Sequence, residues 1–451
     1  MARNHGLSRR AFLRNAGMTA IAGAAGTAVS PRIADAALEG ADDDVFDFDT
    51  PYNRVGTDCI KWDDQMAKFG KDNVAVGMGI ADMDFKAAPC IGRAIAERCK
   101  HENWGYLKMP SSFVDAIVAW NKKRYGLEID PDTVVISSGV HPALIASMET
   151  FSPPGSRVLL TTPSYNGFYS DLEFCHVTEA DSPMQVDNGR YSIDFEDFER
   201  RIRHDTHVFV LCNPQNPTGN CWSPEDLMRI GEICLDHRVV VLADEIHCDF
   251  VTKGQKYTPF ASLPNKAVVD NSITFKAASK TFSLAAMKNA WFFSTNPDLL
   301  KRVKANHRAD INTLGVVANQ AALNEGGPWL DQLLPYLDAN HEFAETYIRE
   351  KMPLVKYAKA QGTYLAWLDV SRVVELIGAK AKAAEASKTS EKPVTPEMVF
   401  QKWLAQNAKV VVTPGPEYGT GGEGHVRMNL GTSRKLIELA LHNMSSALAK
   451  L

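Results

Sequence analysis

From about residue 110 the chain alternates between two periods of apolar residues. Ser112 to Tyr125 places Phe113, Ala116, Ile117 and Trp120 on one face at a spacing near 3.6, which predicts a helix. Val134-Val135-Ile136 is a short apolar run, followed by Gly139 and a helical stretch through Phe151. Further runs occupy Arg157 to Leu160, His207 to Leu211, Val239 to Leu242, Ser272 to Phe275 and Trp291 to Ser294, with a helix over Pro224 to His237 among them. Short apolar runs separated by helices predict an α/β fold, with a buried, mostly parallel sheet wrapped by helices.

Helical patterning resumes at about residue 310. Thr363 to Leu368 and His425 to Leu430 then read as alternating strands, giving a smaller α+β C-terminal domain. Residues 375–396, rich in Ala, Lys, Ser and Glu, read as a surface helix or mobile insert with no chemistry of their own. The expected division is a signal segment over 1–36, an arm over 37–85 joining the small domain, a large domain over 86–308 and a small domain over 309–451.

The first 36 residues stand apart from this pattern. Ser8-Arg9-Arg10-Ala11-Phe12-Leu13 precedes an Ala-, Gly- and Thr-rich run, and Ala34-Asp35-Ala36 offers a peptidase small residues. The order resembles a twin-arginine export signal, which implies the Tat translocase as a transient partner and a periplasmic or otherwise exported location. A basic tail with an Ala-rich helix is the alternative. The 451 residues are 45% hydrophobic and 23% charged with a formal net charge of -5, so no basic surplus points to nucleic acid. The eight Cys include no CxxC pair, and no zinc or other metal site is expected; export would allow some thiols to oxidise.

The polar residues of interest follow the strands. Ser138-Gly139-Val140-His141 opens a helix, whose backbone N–H groups can hold a phosphate. Asn213 to Gly219 is a turn with two Asn-Pro steps, and Asp244 ends a buried strand, where a carboxylate can hold a pyridine nitrogen protonated or simply cap a helix. Lys280 sits between an apolar strand and an apolar stretch; a desolvated lysine there has a lowered pKa and attacks carbonyls, and a snorkelling lysine is the plainer reading. In open α/β sheets ligands bind beyond the carboxyl ends of strands, so these positions and Pro163-Ser164-Tyr165 converge on one rim.

Taken in order, the Gly139 region, Tyr165, Asn213-Pro214-Gln215-Asn216-Pro217-Thr218-Gly219, Asp244-Glu245-Ile246-His247, Ser279-Lys280 and Arg427 resemble fold-type I pyridoxal-phosphate enzymes of the aminotransferase class I/II superfamily. Ala81 to Phe85, Trp104-Gly105-Tyr106, Ala278 to Phe282 and Gly362 to Asp369 are most similar to the MalY/PatB group of cystathionine β-lyase-like C–S lyases. The resemblance implies a large domain with a seven-stranded-type sheet, pyridoxal 5'-phosphate as cofactor and a homodimer. It implies that Lys280 carries the cofactor as a Schiff base and shuttles protons, and that Asp244 pairs with the pyridinium nitrogen. Asn216 would bond the ring oxygen, Tyr165 would stack on the ring, and Gly139, Val140 and Ser279 would hold the phosphate. His247 joins the cofactor contacts, Tyr106 reaches the neighbouring subunit's phosphate, and Arg427 clamps the substrate carboxylate.

The activity implied is β-elimination from a cysteine S-conjugate or cystathionine-like amino acid through α-proton abstraction by Lys280. Class I/II transamination is the alternative, because one fold supports both. A non-enzymatic binding protein would be expected to lack Lys280 or Asp244, and both are present. Four places depart from the lyase pattern: Gln215 stands for His, Ser283 for Asn, Ala285-Ala286 for Ala-Gly and Gly79 for Trp. These are expected to line or border the substrate side.

Overall fold

A strand buried on both faces has no polar position to spare, and the apolar runs behave accordingly. The computed structural model describes residues 45–451. Seven strands form the main sheet: β1 (Val135–Ser137), β2 (Arg157–Thr162), β3 (Thr178–Pro183), β4 (Thr206–Cys212), β5 (Val240–Asp244), β6 (Ser272–Lys276) and β7 (Ala290–Phe293), in the order β1-β7-β6-β5-β4-β2-β3. The five from β3 to β6 run parallel, and β7 is antiparallel to both neighbours. Alternate residues feed opposite cores. Val158, Leu160, Val210 and Leu242 pack with the helix Val140–Phe151, while Leu159, Phe209, Val241 and Ala243 pack with Leu227, Ile230 and Cys234 of the helix Pro224–Asp236. That alternation is why the runs read as uninterrupted apolar stretches. The edge strand β3 was not expected from the sequence, because Thr178-Glu179-Ala180-Asp181-Ser182-Pro183 carries little apolar signal.

The C-terminal part holds a three-stranded antiparallel sheet of Leu365–Asp369, His425–Asn429 and Thr413–Pro414. Its apolar face, with Ala366, Leu368, Val426 and Met428, packs on Ile437, Leu441 and Met444 of the helix Arg434–Leu448. Upstream, Val76–Gly77 pairs in parallel with Val410–Val411, which brings the following stretch, Gly79 to Asp84, beside this sheet. Within 375–396 the helix Ala379–Ser387 buries Ala379 and Ala383, four residues apart on one face, so it is docked on that side rather than purely superficial.

The expected export signal and the first residues of the arm, up to Asp44, lie outside the described residues. All eight cysteines are free thiols. Among the described residues no helix is long and apolar enough to cross a membrane, and no group of three or more His, Cys, Asp or Glu is placed to hold a metal ion.

Candidate active site

The carboxyl ends of β2, β4, β5 and β6 and the helix start after β1 surround a cavity of about 500 Å³. Its lining includes Gly139, Val140, Tyr165, Asn216, Asp244, His247, Ser279 and Lys280. Eight of the ten residues singled out from the sequence therefore meet in one place.

Asp244 is the last residue of β5, opposite Cys212 of β4, and only 4% of it is exposed. One carboxylate oxygen accepts the Ile246 N–H at 3.1 Å. Burial, which penalises the charged form, pushes its carboxyl up to about 6, and the Ile246 bond opposes this. Lys280 lies in the loop after β6. Burial, reinforced by the Arg427 charge, brings its ammonium down to about 8. Its Nζ donates to the Ala81 carbonyl at 2.9 Å, and the buried Tyr364 hydroxyl donates to the same oxygen at 3.0 Å. The loop is held beside it: Thr281 Oγ1 donates to Asp249 Oδ2 at 2.6 Å, and the N–H of Leu284 donates to the Ser279 carbonyl at 3.0 Å.

Gly139 precedes the helix Val140–Phe151, and no side chain caps its free N–H groups. Nearby, both side-chain polar atoms of buried Asn289 lack a partner, as does Nδ1 of buried His247. Burial and the Lys280 and Arg427 charges hold His247 well below the ordinary imidazole range, hence neutral. Unpaired polar atoms in a closed site are expensive. An uncapped helix start, a buried carboxylate and a buried, weakly basic amine round one cavity fit a phosphorylated pyridine aldehyde, the cofactor the resemblance implies.

The turn after β4 is tied down from both sides. Gln215 is fully buried; its Nε2 donates to the Pro163 carbonyl at 2.7 Å and its Oε1 accepts from the Thr218 N–H and hydroxyl at 3.0 and 2.7 Å. Gly219 is at φ 77°, where an added Cβ would lie 2.5 Å from the Ala360 Cβ, so only glycine closes this turn.

Two of the ten residues lie outside the cavity lining. Arg427, 4% exposed, sits behind Asn216: its terminal nitrogens donate to Asn216 Oδ1 at 3.0 Å and to the Gly79 carbonyl at 2.7 Å. Tyr106 is fully exposed, in a separate depression with Trp104, Ile311 and Leu314. The expectation for the four departures needs correcting. Ala285 lines the cavity, and Gly79 borders it only through Arg427. Gln215 is taken up by its own turn and the Pro163 carbonyl, and Ser283 is an exposed residue at φ 54°.

Sequence reasoning missed Tyr364, Asn289 and the His141–Asp171 pair. His141 stands next to the phosphate-type glycine turn, so its position was legible. Asp171 is six residues past Tyr165 inside the helix Asn166–Phe174, and nothing in its neighbourhood marks it.

Residues 74–443 match the family described as aminotransferase class I and II. The chain is 36% identical over 409 residues to cystathionine beta-lyase PatB of Bacillus subtilis (strain 168), covering 89% of this chain and 100% of that one. It is 30% identical to protein MalY of Escherichia coli (strain K12), over 90% of this chain and 99% of that one. The PLP-bound C-S lyase of Staphylococcus hominis, solved with L-cycloserine, superposes with a TM-score of 0.78 at 30% identity, covering 90% and 99% of the two chains. Together with the seven-stranded sheet and the cavity at its rim, these likenesses identify the chain as a member of the aminotransferase class I and II family, a fold-type I enzyme that uses pyridoxal 5'-phosphate.

Proposed function

We propose that the protein is a C–S β-lyase that cleaves a cysteine S-conjugate or cystathionine-like amino acid, with Lys280 as the base. The observation that carries this reading is the pairing, in one cavity, of a lysine whose ammonium is brought down to about 8 with a buried carboxylate. The similarity to PatB and to the Staphylococcus hominis lyase supports elimination as the outcome.

Gly139, Val140 and Ser279 would hold the cofactor phosphate, Asp244 its ring nitrogen, Asn216 its ring oxygen and Tyr165 its face, with His247 alongside. Bound there, pyridoxal phosphate supplies an electron-withdrawing ring that acidifies the α-hydrogen of an amino acid. Lys280 would carry the cofactor until the substrate amine displaces it, and its freed Nζ would then take the α-proton; an amine near 8 is a competent base at neutral to alkaline pH. Asp244, ionised, would keep the ring nitrogen protonated. Arg427, with only two of its five N–H donors engaged, on Asn216 and Gly79, would bind the substrate carboxylate.

Tyr106, exposed and remote from its own cavity, serves the neighbour's phosphate in a homodimer. The Arg9-Arg10 signal sends the protein out of the cytoplasm through the Tat translocase, already folded and loaded.

The test uses the holoenzyme with a panel of cysteine S-conjugates, with and without an added keto acid. Elimination yields thiol, keto acid and ammonia over many turnovers without acceptor. If every thioether gives a single equivalent and stops until a keto acid is added, the protein is an aminotransferase instead.

A further inference from the structure

His141 and Asp171 line up beside the residues proposed to grip the cofactor, and neither is among those residues. His141 Nδ1 lies 2.7 Å from Asp171 Oδ2, and its Nε2 lies 3.4 Å from the Tyr165 hydroxyl. The His141 and Tyr165 rings are 5.6 Å apart and inclined at 42°. Gly167 makes the arrangement possible: a Cβ there would fall 2.5 Å from atoms of both rings. Asp171 is almost closed off while 43% of the His141 side chain is open, and His141 lines the cavity that Asp244 lines. A buried carboxylate fixing one imidazole nitrogen leaves the other aimed by that bond.

We propose that His141, held by Asp171, is a positioning residue that fixes the Tyr165 ring and supplies the positive charge that keeps Asp244 ionised beneath the cofactor. The proposal rests on the cofactor contacts assigned to Asp244 and Tyr165 under the proposed function. The groups facing His141 are Asp171 from the helix Asn166–Phe174, Tyr165 just before it, Asp244 from β5 and Lys280 from the loop after β6. The Asp171 bond raises His141 above the ordinary imidazole value, and on Asp244 the opposing effect of the His141 charge outranks that of Asp171. Burial pushes the Asp244 carboxyl up, and the His141 charge joins the Ile246 N–H in holding it no higher than about 6, where it is mostly ionised at neutral pH.

The experiment compares holoenzyme with His141→Gln, Asp171→Asn and Lys280→Ala. It follows cofactor visible absorbance against pH, the cofactor dissociation constant, and kcat and KM. His141→Gln should move the acid limb of kcat and of the absorbance change up by about one pH unit. It should also weaken cofactor binding, with KM within about twofold of wild type. Asp171→Asn should shift both limbs the same way by less, and it carries the test if His141→Gln does not fold. If both limbs and the dissociation constant stay at wild-type values, the proposal is overturned, even where the melting temperature drops. Lys280→Ala separates the two ideas. Cofactor still fixed covalently to Lys280→Ala protein by borohydride sinks the cofactor assignment, whereas loss of that link beside an unmoved His141→Gln profile sinks the positioning role alone.

Discussion

Gln215 and Pro163, 52 residues apart, are joined by a buried hydrogen bond of 2.7 Å that ties the loop carrying Tyr165 to the turn carrying Asn216. Gln215→Ala would leave the Pro163 carbonyl and the Thr218 N–H and hydroxyl without partners in a closed interior. The expected cost is roughly 2–4 kcal/mol of stability, with weaker cofactor retention. Urea unfolding followed by near-ultraviolet circular dichroism checks it; an unchanged midpoint would mean that water replaces all three bonds.

Lys280→Ala removes both the cofactor linkage and the base. Visible absorbance of the linked cofactor should vanish, and kcat should fall by at least about 10³-fold. Absorbance spectra and steady-state assays on one preparation decide the matter.

Asp244 presents a trade of stability for function. Its carboxyl is raised, so the cofactor-free folded state binds more protons than the unfolded state between the ordinary aspartate value and about 6. Stability of the cofactor-free protein therefore falls as pH rises through that window and stays low above it. Asp244→Asn should raise the stability of the cofactor-free protein at pH 8 by on the order of 2 kcal/mol while nearly abolishing turnover. Denaturant melts at pH 4 and pH 8 give the comparison, and the gain should shrink at pH 4.

If Tyr106 completes the neighbour's site, mixing Tyr106→Ala and Lys280→Ala subunits should restore activity. Random re-pairing gives about a quarter of the wild-type rate, because half the dimers carry one intact site of two. No recovery after denaturation and joint refolding would place Tyr106 outside the partner's site.

Arg9→Lys with Arg10→Lys should retain the protein in the cytoplasm. Cell fractionation with an antibody to the mature chain reads the result, and processed protein in the periplasm would remove the twin-arginine reading.

Much of this architecture was readable because burial on both faces leaves a plain signature. β4 and β5 are runs of Val, Leu and Phe ended by Asn213 and Asp244, so strand and site were marked together. β3 was not, since an edge strand needs little apolar surface. Lys280, Asp244 and Asn216 could be picked out because each lies at or just past a strand end. Asp171 and Tyr364 could not: one is an ordinary helical aspartate and the other an ordinary strand-flanking tyrosine, and only packing brings them to His141 and to the Ala81 carbonyl. The position of Arg427 was equally invisible, because its engagement with Asn216 spans 211 residues.

The carbonyl of Ala81 receives both the Lys280 ammonium and the Tyr364 hydroxyl. With two donors on one oxygen, the lysine can depart without stranding an acceptor, since the tyrosine remains behind. Ala81 thus serves as a berth whose mooring is never fully cast off, and the amine's swing toward its work is cheap in both directions. A chain lacking the Tyr364 hydroxyl would grip its lysine more firmly at rest, and the protein would then be slowest at the moment it should be loading its cofactor.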